Sequence, residues 1–141
     1  MLLACIVVYA AILTAYVGAA RQSTAPPART FQSPAGTTMR VLVDEQVLKG
    51  TEVEMAELTF PPNSDSNDHR HGVTETMYVL EGELEQVVNG TSIVLAPGKA
   101  ASIRATDTVR HKTGAAGARV LVVWAPGGEI ARVTSRWKIT Q

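Results

Sequence analysis

The sequence predicts an all-β fold of the barrel, sandwich or jelly-roll kind, and three observations carry the prediction. The periodic segments are short, rich in β-branched residues and bounded by Gly, Pro, Asn or Asp. Asn89-Gly90 sits between two of them and is the strongest short hairpin signal a sequence offers. Beyond residue 38 no stretch holds a helical apolar repeat for more than about two turns.

From the N-terminus, Leu2–Ala20 carries no charged side chain and ends in small residues, with Val17-Gly18-Ala19 suited to signal-peptidase cleavage. Its 19 residues are also just long enough to span a bilayer. Residues 1–20 are therefore read as a signal peptide or a membrane anchor. Either implies an exported protein, periplasmic or extracellular, that meets a membrane only through this segment. Cys5, the single cysteine, lies inside it, so the rest of the chain has no thiol and no disulfide. Residues 21–38, rich in Ser, Thr, Ala and Pro with one aromatic, read as a flexible linker. One folded domain is expected over 39–141, since 141 residues suit one domain and not two.

Within that domain the expected strands are Arg40–Asp44, Thr51–Phe60, Thr76–Glu81, Glu83–Val88, Thr91–Leu95, Ala100–Ile103, Thr108–Lys112 and Arg119–Ala125. Pro97-Gly98 marks a further turn. In Thr51–Phe60 the alternation changes face between Met55 and Ala56, which reads as a bulge or a strand buried on both sides. Arg132–Gln141 is expected to pack back as a last strand. There are no internal repeats.

Composition narrows the partners. Thirteen basic and thirteen acidic side chains balance, and no basic block offers a nucleic acid an electrostatic footprint. A small-molecule ligand or substrate is the expected partner. Met39–Asp44, the stretch around Trp124 and Ile130–Ile139 are candidate subunit contacts, with a homodimer as the default assembly.

The three histidines of the chain fall into one pattern. His69 and His71 form His-x-His, Glu75 follows four residues later, and Gly82 closes the run. His111 lies at the end of a strand-like stretch downstream. Side chains two apart on a strand share a face, so His69 and His71 point together and Arg70 points away. By the same alternation Glu75, Met77 and Val79 share a face, as do Val109, His111 and Thr113. Imidazoles plus a carboxylate suit a divalent transition metal.

This run resembles the first motif of the cupins, residue by residue at His69, His71, Glu75 and Gly82. The hairpin, the Pro97-Gly98 turn and the later His111 lie where that family's intermotif region and second motif would fall. Of the second motif only His111 survives. The resemblance, to the small single-domain type-2 cupins, covers about residues 39 to 126. It implies a double-stranded β-helix, a jelly-roll barrel of six to eight strands. It also implies His69, His71, Glu75 and His111 as ligands of one metal per chain, with Cu, Zn, Fe, Mn and Ni all open.

Similar single-domain proteins include dioxygenases, isomerases and decarboxylases. The chain has no spare histidine or cysteine for a general base, which tilts the reading toward a dioxygenase-like oxidoreductase. Glu75 would then be the catalytic residue, by moving off the metal to carry protons. The alternative is an exported, non-catalytic, metal-dependent cupin that binds a small ligand or sugar. Among other residues, Arg104 reads as a rim charge or a carboxylate anchor. Glu81, Glu83 and Glu85 read as an exposed acidic face opposite Arg or Lys. Tyr78, Trp124 and Trp137 read as core or interface anchors, and Met55 and Met77 as core filler.

Overall fold

The computed structural model describes residues 28–141. The signal or anchor segment 1–20 and the linker residues 21–27 lie outside the described residues. The elements run β1 (Thr30–Gln32), β2 (Thr38–Val43), α1 (Glu45–Leu48), β3 (Glu54–Phe60), β4 (Thr74–Val88), β5 (Thr91–Leu95), β6 (Ala100–Ile103), β7 (Val109–Ala125), α2 (Glu129–Thr134) and β8 (Lys138–Ile139). The eight strands make one antiparallel sheet in the order β5-β4-β7-β3-β2-β1-β8, with β6 also paired to β4. The all-β jelly-roll expectation holds, but the sheet is not closed into a barrel. Its end strands β5 and β8 do not pair, and β8 is only two residues long.

The four strand signals around Gly82 and Gly117 fuse into two long strands. Thr76–Glu81 and Glu83–Val88 lie in the two halves of β4, and Thr108–Lys112, from Val109 onward, and Arg119–Ala125 in those of β7. The register between them shifts at Val79/Glu81 and at Gly82/Leu84, so each strand bends without ending. Gly82 at φ +70° and Gly117 at φ +67° make the bend. A Cβ on Gly82 would sit 2.1 Å from the Gly117 carbonyl oxygen. Gly82→Ala should therefore lower unfolding free energy by about 3 kcal/mol, the sum of left-handed strain and overpacking. Denaturant melts would read this as a lower midpoint at unchanged slope.

The hairpin and turn signals have their expected geometry. Asn89 and Gly90 both take positive φ, +50° and +83°, as a type I′ turn requires. Gly98 at φ +82° closes the Pro97 turn, where Lys99 N–H donates to the Ala96 carbonyl at 3.0 Å.

Four expectations are corrected. Thr30–Gln32 is a strand and not linker, because Phe31 is buried between Met39 of β2 and Ile139 of β8. Arg132–Gln141 is not one strand, since α2 covers its start and β8 holds two residues of it. The face change in Thr51–Phe60 is neither bulge nor two-sided burial. Glu54, Ala56, Leu58 and Phe60 alternate inward without a break. Glu54 is a buried carboxylate that accepts Ile130 N–H at 2.8 Å, satisfying an orphan donor in the first turn of α2. Met55 faces outward and is half-buried, so it is not core filler. The irregularity lies on the partner strand, between Val41 and Val43.

The core is one apolar cluster inside the roll, including Met39, Val79, Leu84, Val120 and Trp124. Of the stretches expected at a subunit contact, Met39, Trp124 and Ile130 are buried within the chain and β2 is an internal strand, whereas much of Ala131–Ile139 is exposed. The exposed large apolar residues among those described include Ile93 and Val94 on the edge strand β5 and Ile139 on β8. Among the described residues no helix is long and apolar enough to cross a membrane.

Candidate metal centre

The loop between β3 and β4 lays residues 63–69 antiparallel along the first half of β7. His69 and Val109 exchange backbone hydrogen bonds at 2.9 and 2.8 Å, and Ser66 N–H donates to the His111 carbonyl at 2.9 Å. This loop takes the place on β7 that β3 occupies further along. It carries His69 and His71 into the roll beside His111. Glu75 faces inward from the start of β4, as the alternation predicts.

The donor atoms of His69, His71 and His111 lie within 4.8 Å of one another. Glu75 Oε2 lies 3.2 Å from His71 Nε2 and 3.7 Å from His111 Nε2. Donors held at about 2.0–2.2 Å from one ion are roughly 3–4 Å apart, so Glu75 has the spacing of a ligand toward two of the three histidines. His71 Nε2, Glu75 Oε2 and both ring nitrogens of His111 are buried without a hydrogen-bond partner. Orphaned polar atoms of this kind are costly unless something else satisfies them, and three of these, His71 Nε2, Glu75 Oε2 and His111 Nε2, converge. The residues present fit a divalent transition metal.

Hydrogen bonds behind the imidazoles set their tautomers. His69 Nδ1 lies 2.8 Å from the Asn67 carbonyl oxygen and His71 Nδ1 lies 2.9 Å from Glu129 Oε1. Both partners only accept, so each Nδ1 carries the proton and each Nε2 keeps its lone pair for a metal. Glu129 is a site residue that the sequence reading missed. It sits in the first turn of α2, buried, and also accepts Gly72 N–H at 3.1 Å and Arg132 Nε–H at 2.9 Å. Burial works against its charge, but the hydrogen bonds from Arg132, His71 and Gly72 outweigh it and hold the carboxyl below its ordinary range. Gly72 is explained by the same contact. A Cβ there would meet Glu129 Oε2 at 3.2 Å, so the missing side chain admits the carboxylate.

Burial dominates the titration of the inner groups. It pushes Glu75 up to about 8, although Trp124 Nε1–H donates to Oε1 at 2.9 Å and pulls the other way. Burial, reinforced by the neighbouring imidazoles, pushes His111 down to about 3. It also lowers His71, against the opposing pull of Glu129. Without a metal, burial thus favours a neutral Glu75 beside neutral imidazoles of His71 and His111.

The four residues open onto a cavity of about 310 Å³ walled by Met39, Leu58, Phe60, Met77, Trp124 and Trp137. Trp124 and Met77 thus belong to core and cavity at once, and Trp137 closes one side. Tyr78 is exposed on the outer face. Ser33, Ala35 and Thr37, read as linker from sequence, contribute to the rim. Arg104 is exposed on the turn before β7, outside the cavity, where its backbone N–H donates to Asp107 at 2.9 Å. A larger groove of about 420 Å³ is lined by Asp65, Glu83, Glu85 and Lys112. Its charges largely satisfy one another or their neighbours, as in the pairs Lys112–Glu85 and Arg110–Asp65. On the acidic face Glu81 also finds a basic partner, Arg119, as expected.

Residues 56–124 match the family described as the cupin domain. No curated protein matches the chain. Among solved structures the fold is similar to an RmlC-like cupin from Shewanella frigidimarina, at 19% identity over 71% of this chain and 86% of that one, TM-score 0.61. It is similar to the polyketide cyclase RemF from Streptomyces resistomycificus, at 28% identity over 72% and 69% of the two chains, TM-score 0.58. It is also similar to an oxalate decarboxylase from Bacillus subtilis with Mn(II) centres, at 15% identity over 71% of this chain and 28% of that one, TM-score 0.62.

Proposed function

With a cupin domain over residues 56–124 as the premise, we propose that this protein is a metal-dependent oxidoreductase of the dioxygenase type acting on a small, largely apolar molecule. His69, His71, Glu75 and His111 are the proposed ligands of one divalent transition metal per chain. The observation that carries the reading is the set of buried, unpartnered donor atoms on His71, Glu75 and His111 at the wall of an apolar cavity. Bound there, a divalent ion supplies a Lewis acid and, if it is iron, copper or manganese, a redox centre.

The chain's own residues do the rest. Phe60, Trp124 and Trp137 offer flat apolar walls that exclude water and suit an aromatic or enolic substrate. Trp124 fixes Glu75 through Oε1, so that Oε2 is the atom that holds or releases a proton facing the cavity. Asp65, the other carboxylate at the cavity, is tied to Arg110. The cavity thus lacks a second free base, which supports oxidation over isomerisation or hydrolysis. The 28%-identical polyketide cyclase lends the aromatic or polyketide-like substrate class some support. Copper, zinc, iron, manganese and nickel stay open. Export through residues 1–20 and a homodimer belong to the same proposal, with β5 as the first surface to test for self-association.

The test is dioxygen uptake by the purified chain, loaded in turn with each of these metals, against a panel of small phenols and enols. Metal-dependent uptake with oxidised product is the expected result. Ligand retained without turnover by every metal form would move the assignment to a metal-dependent binding protein.

A further inference from the structure

Six buried side-chain polar atoms among the described residues have no hydrogen-bond partner, and they belong to four residues. Three of the four are the inner ligands just described. The fourth is Gln86, whose amide nitrogen and oxygen are both orphaned at 0% exposure. Its inward neighbour on β4 is Leu84, equally buried, so an apolar side chain fits this face of the strand. An amide there is unfavourable unless it bonds something.

The register supplies the partner. Gln86 of β4 stands directly opposite His111 of β7. Directly opposed residues of an antiparallel pair share a face, with Cβ atoms about 4.5–5.5 Å apart. Both side chains are buried, so both point into the roll. His69 and His71 have an acceptor for Nδ1, and His111 does not. His111 Nε2 is the nitrogen that faces Glu75, which leaves Nδ1 on the side away from it. Gln86 is not part of the cavity wall, so it does not meet a substrate directly.

We propose that Gln86 is the positioning residue of His111. Its carboxamide oxygen accepts the Nδ1–H, which fixes the tautomer with Nε2 free toward Glu75. A rotation of the glutamine side chain joins the two orphans. Each of the three imidazoles then has its own acceptor, a backbone carbonyl, a carboxylate and an amide. The proposal rests on the metal-site reading for its purpose, but not for its geometry.

The experiment uses the purified chain as wild type, Gln86→Leu and Gln86→Glu. In metal-free protein, the ring nitrogen resonances of His111 report its tautomer by NMR. Wild type should show a protonated Nδ1, and Gln86→Leu a mixture of tautomers. Zinc affinity, by competition with a chromophoric chelator, should fall about 10–100-fold in Gln86→Leu, the usual loss when an imidazole's orienting partner goes. Gln86→Glu should restore most of it. With chelator present, Gln86→Leu should melt somewhat lower than wild type, since it leaves the buried His111 Nδ1–H without an acceptor. An unchanged tautomer together with unchanged zinc affinity in Gln86→Leu would overturn the proposal. If wild type binds no zinc yet the tautomer shifts as expected, the positioning role stands and the metal reading fails.

Discussion

Replacing His111 by alanine will strip the protein of its transition metal. A chain that carries one ion should retain almost none after dialysis, and the affinity should fall by about 10²–10³-fold. The reason is geometric. His111 is fixed by the ladder of β7, with its backbone N–H bonded to Ser66 Oγ at 2.9 Å and its ring packed 5.8 Å from that of Phe60. No other described histidine or cysteine is within reach to replace it, because the three histidines are all in the site and Cys5 lies outside the described residues. The fold itself should survive. The substitution leaves a small cavity but also removes two orphaned buried nitrogens, and these effects oppose each other. Elemental analysis reads the metal, and circular dichroism with chelator present reads the fold. Arg104→Ala, outside the cavity, is the control that should keep full occupancy. Full occupancy in His111→Ala would remove the site assignment altogether.

Local residues made most of this legible. His-x-His and Glu75 are close in sequence, and strand alternation alone decides which side they face. Thr91–Leu95 and Ala100–Ile103 were readable to the residue because turns with distinctive glycine chemistry bound them. The contributions that escaped are all long-range. Glu129 is 58 residues from the imidazole it holds, at the start of a six-residue helix that looks from sequence like any acidic first turn. Glu54 upset the apparent alternation of its strand because its partner, the Ile130 amide, is 76 residues away. Gln86 shares the face opposite Glu83 and Glu85, but only the register of β4 on β7 sets it against His111. Phe31 was a lone aromatic in a Ser- and Pro-rich stretch, and only pairing with β2 and β8 makes it core. Each miss is a polar or apolar residue whose partner is fixed by topology, which one strand's pattern does not contain.

Metal uptake will release a proton, and Glu75 is its source. The sequence alone points to histidine protonation, with affinity falling below about pH 6.5. Burial changes the titrating group. His111 is held down to about 3 and His71 is lowered as well, so both stay neutral through the weakly acidic range, while Glu75 is pushed up to about 8. A ligating carboxylate must be ionised, so below pH 8 each ion displaces one proton. Affinity should rise about tenfold per pH unit from 6 to 8 and then level off. Stability of the metal-free protein should run the opposite way. Glu75 in the fold lies above its ordinary 4.5, so its contribution is full below 4.5 and is lost as pH rises to about 8. His111 lies below its ordinary 6.5, so its contribution is full above 6.5 and is lost as pH falls toward 3. The two oppose each other between 4.5 and 6.5, and above 6.5 Glu75 acts alone. From pH 6.5 to 8 the chelated protein should therefore lose about 2 kcal/mol, at about 1.4 kcal/mol per unit. Glu75→Gln should abolish both slopes. Calorimetry of metal binding in buffers of different ionisation enthalpy counts the proton, and denaturant melts at the two pH values give the stability. No proton released at pH 7, with metal-free stability flat from 6.5 to 8, would show that Glu75 is already ionised and that the centre is wetter than its burial implies.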